Sequence, residues 1–127
     1  MADSKNHVLV VEDNDDILLM LKAMLTHRGF QVTTSVTTDN LESTITEAKP
    51  DVILMDMLLS GNDGRDVCRS LKSNSEFSSI PIVMISAHPQ AKEECLKAGA
   101  DFFIPKPFEM KDLLSALTQA TFMRNMA

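Results

Sequence analysis

The sequence contains no tryptophan, no tyrosine and no long apolar segment. Its longest unbroken apolar run, Ile17 to Leu21, is far shorter than the ~20 residues that a membrane-spanning helix requires. The polar start MADSKNH does not resemble a secretion signal. We therefore expect a cytoplasmic protein without a membrane span.

Cysteine and positive charge are also scarce. Cys68 and Cys95 lack the CxxC or mixed Cys/His spacing of a metal site, so we expect two free thiols that pack as small apolar groups. The 12 basic residues are outnumbered by 18 acidic ones, which gives a formal net charge of −6. This balance argues against direct binding to nucleic acid or to anionic lipid.

Five short apolar runs recur along the chain, each with the length and composition of a strand. They are HVLVVE (7–12), QVTTSV (31–36), DVILMD (51–56), IPIVMIS (80–86) and DFFIP (101–105). The second run contains Thr33, Thr34 and Ser35, and this polarity predicts an edge strand. The length of 127 residues fits one domain, which we place at residues 1–127.

Segments with a helical spacing of apolar residues follow each run. They cover residues 13–29, 39–50, 64–73, 89–100 and 108–123. The second has Asp39 three residues before Glu42, which predicts a reciprocal cap. Strand and helix thus alternate five times, a pattern that predicts an α/β fold with a mostly parallel sheet between two layers of helices.

Polar residues stand where four of the five predicted strands end. They are Glu12 and Asp13, Asp56, Ser86, and Lys106. Each alone could be a helix cap, a turn residue or a solvated lysine. Because ligands bind beyond the carboxyl ends of strands in open parallel sheets, we expect these side chains to line one crevice.

Three carboxylates in such a crevice, Glu12, Asp13 and Asp56, would repel one another. Repulsion of this kind either raises a pKa or recruits a cation, and oxygen donors without His or Cys suit Mg²⁺. A cation would keep Asp56 ionised as a nucleophile. Together with a lysine and a hydroxyl, the set has the groups that phosphoryl transfer needs.

Four motifs, in this order, resemble the receiver domain of two-component response regulators. They are VLVVEDN, DVILMDMLLSGNDG, PIVMISA and GADFFIPKPF. The resemblance runs from about residue 7 to the final helix. It implies a flavodoxin-like, doubly wound (βα)5 sandwich of three layers, with strand order 2-1-3-4-5.

The same resemblance assigns roles by position. Asp56 would accept a phosphoryl group from a histidine kinase or a phosphotransfer protein, and Ser86 and Lys106 would bind the phosphoryl oxygens. The ligands of the family's Mg²⁺ (or Mn²⁺) would be Glu12, Asp13, Asp56 and the backbone carbonyl of Leu58.

The resemblance further implies a two-state switch, in which Ser86 moves toward the phosphoryl group and the aromatic residue at position 103 turns inward. Phe103 lacks the hydroxyl that many members have there, so an ordinary core aromatic is an equal alternative. The bond between Lys106 and Pro107 resembles the family's cis peptide.

Two positions flank the entry to the pocket in the family, and here they are Leu58 and His88. We hypothesise that the apolar Leu58 hinders the attacking water and lengthens the phosphoryl lifetime. His88 fits the start of the fourth helix better than a base. Ser60 replaces a proline of many receivers, which leaves the loop after Asp56 less restricted.

The sequence thus predicts a phosphoacceptor signalling domain and not an enzyme for external substrates. Its partners would be the phosphodonor and a downstream protein, which would dock on the fourth helix, fifth strand and fifth helix. We expect a monomer or a phosphorylation-dependent dimer. The alternative is a protein-binding adaptor of the same fold that works without phosphorylation.

Two other classes fit less well. A phosphatase with an aspartyl nucleophile would carry a general-acid Asp two residues after it, where this chain has Leu58. A flavodoxin-like electron carrier would need aromatic side chains to stack on the flavin, and the acidic EDNDD segment would repel the flavin phosphate.

Overall fold

Five parallel strands form the centre of the molecule in the computed structural model, which describes residues 6–59 and 61–126. The strands are β1 (His7–Val11), β2 (Gln31–Ser35), β3 (Val52–Asp56), β4 (Ile82–Ser86) and β5 (Phe102–Pro105). Their order across the sheet is β2-β1-β3-β4-β5. This order confirms the predicted fold and the edge position of β2, while the prediction made for Ser60 lies outside the described residues.

The helices lie on both faces of this sheet. They are α1 (Asp15–His27), α2 (Leu41–Ala48), α3 (Gly64–Ser73), α4 (Lys92–Lys97) and α5 (Met110–Met126). A 3-10 turn, Pro89–Ala91, leads into α4, so the segment predicted as one helix over 89–100 has two parts. Within the part of the chain that the structure describes, no helix is long and apolar enough to cross a membrane.

Alternate residues of the central strands face two separate cores. One core packs Leu9, Ile53 and Met84 against α2, α3 and α4, and the other packs Val10 and Leu54 against α1 and α5. Strands that are buried on both faces need apolar residues at every position, which explains the unbroken runs in the sequence. This packing brings the carboxyl ends of β1, β3, β4 and β5 to one edge of the sheet.

The two thiols lie in the first core, as predicted. Cys68 and Cys95 are free and buried. Burial raises the pKa of the Cys68 thiol to about 11, because the charged thiolate is poorly solvated there. A protonated, inaccessible thiol has little reactivity.

Two local features differ from the sequence-based expectations. The cap predicted at Asp39 is wrong: α2 begins at Leu41 after Asn40, which has φ of 58° and makes no side-chain capping bond. In addition, Leu58–Leu59 and Asn62–Asp63 form a short antiparallel pair between β3 and α3. Alternating apolar runs cannot reveal a two-residue ladder of this kind.

Candidate functional site

Asp56 is the last residue of β3 and is 9% exposed. Its Oδ2 accepts a hydrogen bond of 2.7 Å from Nζ of Lys106, and its Oδ1 accepts one of 3.1 Å from the N–H of Leu58. Both carboxylate oxygens therefore have a donor. A carboxylate in this arrangement is held in position and largely shielded from water.

Lys106 reaches Asp56 from the end of β5. Its backbone N–H donates to the carbonyl of Ser86 at 2.8 Å, and this bond continues the parallel pairing of β4 with β5. The peptide bond between Lys106 and Pro107 is cis. Nζ of Lys106 is also 3.9 Å from Oε1 of Glu12, so one ammonium group lies near two buried carboxyl groups.

Glu12 is 4% exposed, directly after β1. Its pKa is raised to about 7, chiefly by burial and then by the negative charge of Asp56. The N–H of Asn14, which donates to Oε2 of Glu12 at 3.1 Å, and the ammonium of Lys106 act in the opposite direction. The negative charge of Asp56 thus adds to the larger effect of burial on the pKa of Glu12.

Asp13 follows Glu12 and is partly exposed at the same sheet edge. Among residues 6–59 and 61–126, no three His, Cys, Asp or Glu side chains are grouped closely enough to hold a metal ion by themselves. Mg²⁺ normally keeps several waters and uses one or two carboxylates. The oxygen donors of Glu12, Asp13 and Asp56 fit such a hydrated cation, since a divalent charge would favour the ionised form of Glu12.

Ser86 ends β4 and is 1% exposed. Its Oγ accepts a hydrogen bond of 2.9 Å from the N–H of His88, and a hydroxyl that accepts this bond can still donate its own proton. His88 precedes the 3-10 turn, but its side chain is exposed and makes no capping bond. Ser86 therefore ends the strand next to that of Asp56, and the backbone of His88 is bonded to its hydroxyl oxygen.

Leu58 and Phe103 complete the predicted set. The side chain of Leu58 is about half exposed, at 51%, although its N–H binds Asp56. Phe103 lies opposite Met84 in the β4–β5 pairing, is half-buried, and packs against the core beneath α2, α3 and α4. The Leu58 side chain is thus open to solvent two residues after Asp56, and Phe103 lies on the strand that pairs with the one carrying Ser86.

Gly64 is a residue whose part in the site the sequence reasoning missed. A Cβ atom built on Gly64 would lie 2.7 Å from the carbonyl oxygen of Asp56 and 3.0 Å from that of Met57. The N–H of Gly64 donates to the carbonyl of Met57 at 2.6 Å. The Asp-Gly pair at the end of the motif was the available signal, because glycine is needed where two backbones approach closely.

Asp63 and Arg65 were missed as well. Oδ1 of Asp63 accepts a hydrogen bond of 2.8 Å from the backbone N–H of Arg65 and so caps α3. The Arg65 side chain donates to both oxygens of Asp63 at 2.6 to 3.2 Å, and these bonds lower the pKa of Asp63 below its usual range. Nη1 of Arg65 contacts Oε1 of Glu94 on α4 at 2.6 Å.

Known proteins share both the sequence pattern and the fold. A family model described as the response regulator receiver domain matches residues 8–118. The DNA-binding response regulator MtrA of Mycobacterium tuberculosis is 36% identical over 129 aligned positions, which cover 98% of this chain and 54% of MtrA.

Two solved structures illustrate the similarity of the fold. The receiver domain of the sensor histidine kinase PA1611 from Pseudomonas aeruginosa, which has a magnesium ion coordinated in its active site cleft, has a TM-score of 0.81 and 28% identity; the match covers 93% of this chain and 98% of that one. The BeF3-activated receiver domain of Klebsiella pneumoniae RstA has a TM-score of 0.82 and 28% identity, with coverages of 91% and 98%.

The chain spans about half the length of the curated relatives that it matches. MtrA is named as a DNA-binding response regulator, and the match covers 54% of its length. The family match, in contrast, covers most of the chain and includes every predicted site residue. This chain therefore belongs to the response regulator receiver domain family.

Proposed function

We propose that the chain accepts a phosphoryl group on Asp56 in a Mg²⁺-dependent reaction, with a histidine kinase or a phosphotransfer protein as donor. The observation that carries this proposal is the buried Asp56 carboxylate with Lys106 Nζ at 2.7 Å from Oδ2. The carboxylate is the nucleophile, and the ammonium supplies positive charge where phosphoryl oxygens would gather.

In this reaction a carboxylate oxygen of Asp56 forms a bond to phosphorus while the phosphorus–nitrogen bond of the donor histidine breaks. A bound Mg²⁺ or Mn²⁺ would neutralise charge on the phosphoryl oxygens. Its ligands in this chain would be Glu12, Asp13, Asp56 and the carbonyl of Leu58. The donor imidazole leaves with the electron pair of the broken bond.

Lys106 and Ser86 hold the product in this proposal. Lys106 already contacts Asp56, so its ammonium can follow the charge from the carboxylate to the phosphoryl oxygens. The Ser86 hydroxyl would donate its proton to a phosphoryl oxygen, and the movement of Ser86 toward that oxygen would break the bond that Oγ accepts from the N–H of His88. Removing that bond changes the start of the segment that leads into α4.

In this proposal, Phe103 couples the change at Ser86 to the surface of the molecule. It is half-buried against the core beneath α2, α3 and α4, so an inward turn would bury more of its ring. We infer that movement of Ser86 and an inward turn of Phe103 alter the face of α4, β5 and α5, which would signal to a downstream protein. Because Leu58 stands where a phosphatase would need its acid, the chain would turn over only its own phosphoryl group.

The test is Mg²⁺-dependent labelling of the purified chain by a small acyl phosphate, with the modified residue located by mass spectrometry. We expect one phosphoryl group on Asp56 and no label in Asp56→Asn or in the presence of EDTA. Asp66→Asn is the matched control, because Asp66 is an exposed aspartate on α3. Label that persists in Asp56→Asn, or that ignores Mg²⁺, would refute the proposal.

A further inference from the structure

Arg65 joins two parts of the molecule that the receiver reaction must connect. Its guanidinium contacts Asp63 through Nη2 at 2.6 Å and Glu94 through Nη1 at 2.6 Å. Asp63 ends the segment that follows the acceptor Asp56, and Glu94 lies on α4. One side chain thus spans from the acceptor segment to a helix of the proposed signalling face.

The Asp63–Arg65–Glu94 contacts form a bridge between the acceptor segment and α4, and backbone contacts link its Asp63 end to Asp56. The N–H of Leu58 donates to Oδ1 of Asp56, and Leu58 pairs with Asp63 in the short antiparallel ladder. The N–H of Gly64, the residue after Asp63, donates a hydrogen bond to the carbonyl of Met57. A change of charge at Asp56 therefore acts on a backbone segment that ends at the residue holding Arg65.

The Glu94 end of the bridge is the weaker one. The Glu94 side chain is 69% exposed, whereas those of Asp63 and Arg65 are 30% and 27% exposed. Three side-chain hydrogen bonds fix Arg65 on Asp63, in addition to the capping bond of its own N–H, while a single contact holds Glu94. Movement of α4 would break the Glu94 contact before it disturbed Asp63.

We propose that Arg65 is a positioning residue that fastens α4 to the acceptor segment in the unmodified chain and so favours the resting arrangement. This inference rests on the proposed function, because it concerns the transmission of a change at Asp56. Both contacts are already at 2.6 Å, so a displacement of α4 away from α3 must lengthen one of them. The Arg65–Glu94 pair therefore adds to the free-energy difference between the resting and the modified arrangement.

The experiment compares Glu94→Gln with Glu93→Gln. The two substitutions remove the same charge from adjacent positions of α4, but within the described residues Arg65 pairs with Glu94 and Asp63 and not with Glu93. The probe is beryllofluoride, a mimic of a phosphoryl group on a carboxylate, titrated in the presence of Mg²⁺. A second readout is amide hydrogen exchange of residues 92–97 without the probe.

We expect Glu94→Gln to raise the affinity for beryllofluoride about two- to fivefold, the range for loss of an exposed ion pair that opposes the bound state. Exchange of the α4 amides should become roughly threefold faster than in wild type. Glu93→Gln should match wild type in both. Arg65→Gln combined with Glu94→Gln should give no more affinity than Arg65→Gln alone, because the two residues act through one contact.

Three results would overturn the inference. They are an affinity in Glu94→Gln equal to that in Glu93→Gln, a reduced affinity in Glu94→Gln, and additive effects of Arg65→Gln and Glu94→Gln. Failure of the wild-type chain to bind beryllofluoride would refute the proposed function and this inference with it. Normal binding that is insensitive to Glu94 would refute only the inference.

Discussion

Nζ of Lys106 lies 2.7 Å from Oδ2 of Asp56 but 3.9 Å from Oε1 of Glu12. The ammonium group therefore pairs with the acceptor and only approaches the second carboxyl group. This asymmetry separates two buried acids by role: Asp56 has a cationic donor of its own, while Glu12 retains a pKa of about 7.

Replacement of Lys106 should impair acceptance of the phosphoryl group. Lys106→Met removes a charged hydrogen-bond donor of the kind that contributes about 1.5 to 3 kcal/mol. The initial rate of Mg²⁺-dependent labelling by acyl phosphate should therefore fall by about 10- to 100-fold. Lys111→Gln is the control, since Lys111 is an exposed lysine paired with Glu109. A rate for Lys106→Met close to that of the control would contradict this role.

Glu12 should make the stability of the metal-free protein depend on pH. Its pKa is raised from 4.5 to about 7, so the folded protein binds more protons than the unfolded chain between these values. Ionising Glu12 in the folded protein therefore lowers the free energy of unfolding. This penalty is absent below pH 4.5, grows as the pH rises, and is complete above pH 7. Glu12→Gln removes it, and we expect this variant to gain about 3 kcal/mol in the free energy of unfolding at pH 8 relative to wild type.

The measurement is urea denaturation of both proteins in EDTA at pH 5 and pH 8. The free energies of unfolding of Glu12→Gln and wild type should differ little at pH 5, and the variant should be the more stable protein at pH 8. Added Mg²⁺ should stabilise the wild type more at pH 8 than at pH 5, because the cation binds the ionised carboxyl groups. An equal difference at both pH values would show that Glu12 has no raised pKa.

Much of the architecture was predictable because each central strand is buried on both faces. Val8 to Val11 and Val52 to Met55 must be apolar at every position, and such runs are visible in the sequence. Once the strands are parallel, their ends meet at one edge. The proximity of Glu12, Asp56 and Lys106 then follows from topology, without any knowledge of side-chain contacts.

The missed features depend on contacts that no local pattern encodes. Arg65 and Glu94 are 29 positions apart, and only the packing of α3 beside α4 brings them together. The cap of α2 was assigned to Asp39 from its spacing to Glu42, but the chain turns at Asn40 with a positive φ instead. Tertiary packing decides such positions over local propensity.

Gly64 should be indispensable for the geometry of the acceptor. The added Cβ of Gly64→Ala would meet backbone atoms of Asp56 and Met57, which cannot rotate away, so strand and helix must move apart. We expect a loss of about 1 to 3 kcal/mol in the free energy of unfolding and a slower labelling reaction. Denaturation and labelling of the same preparation measure both effects.

Gly29→Ala separates lost stability from lost geometry. Gly29 has φ of 94°, so alanine is strained there by about 1 to 2 kcal/mol. No atom outside the two neighbouring residues lies within 4 Å of the added Cβ, and Gly29 follows α1, away from the acceptor. This variant should lose stability and keep the labelling rate of wild type. If Gly64→Ala also keeps the wild-type labelling rate, the close approach of Gly64 to the Asp56 backbone has no part in the reaction.

Leu58 should control how long the phosphoryl group persists. Its half-exposed side chain lies two residues after Asp56, where an apolar group excludes the water that attacks the acyl phosphate. Leu58→Asn offers that water a hydrogen-bond partner, and we expect dephosphorylation to become roughly three- to tenfold faster, a barrier change of about 1 kcal/mol. Leu96→Asn on α4 controls for the loss of an exposed leucine. The decay of labelled protein after removal of the donor measures the dephosphorylation rate. A decay in Leu58→Asn that is slower than in wild type, or unchanged, would show that Leu58 does not shield the acyl phosphate from water.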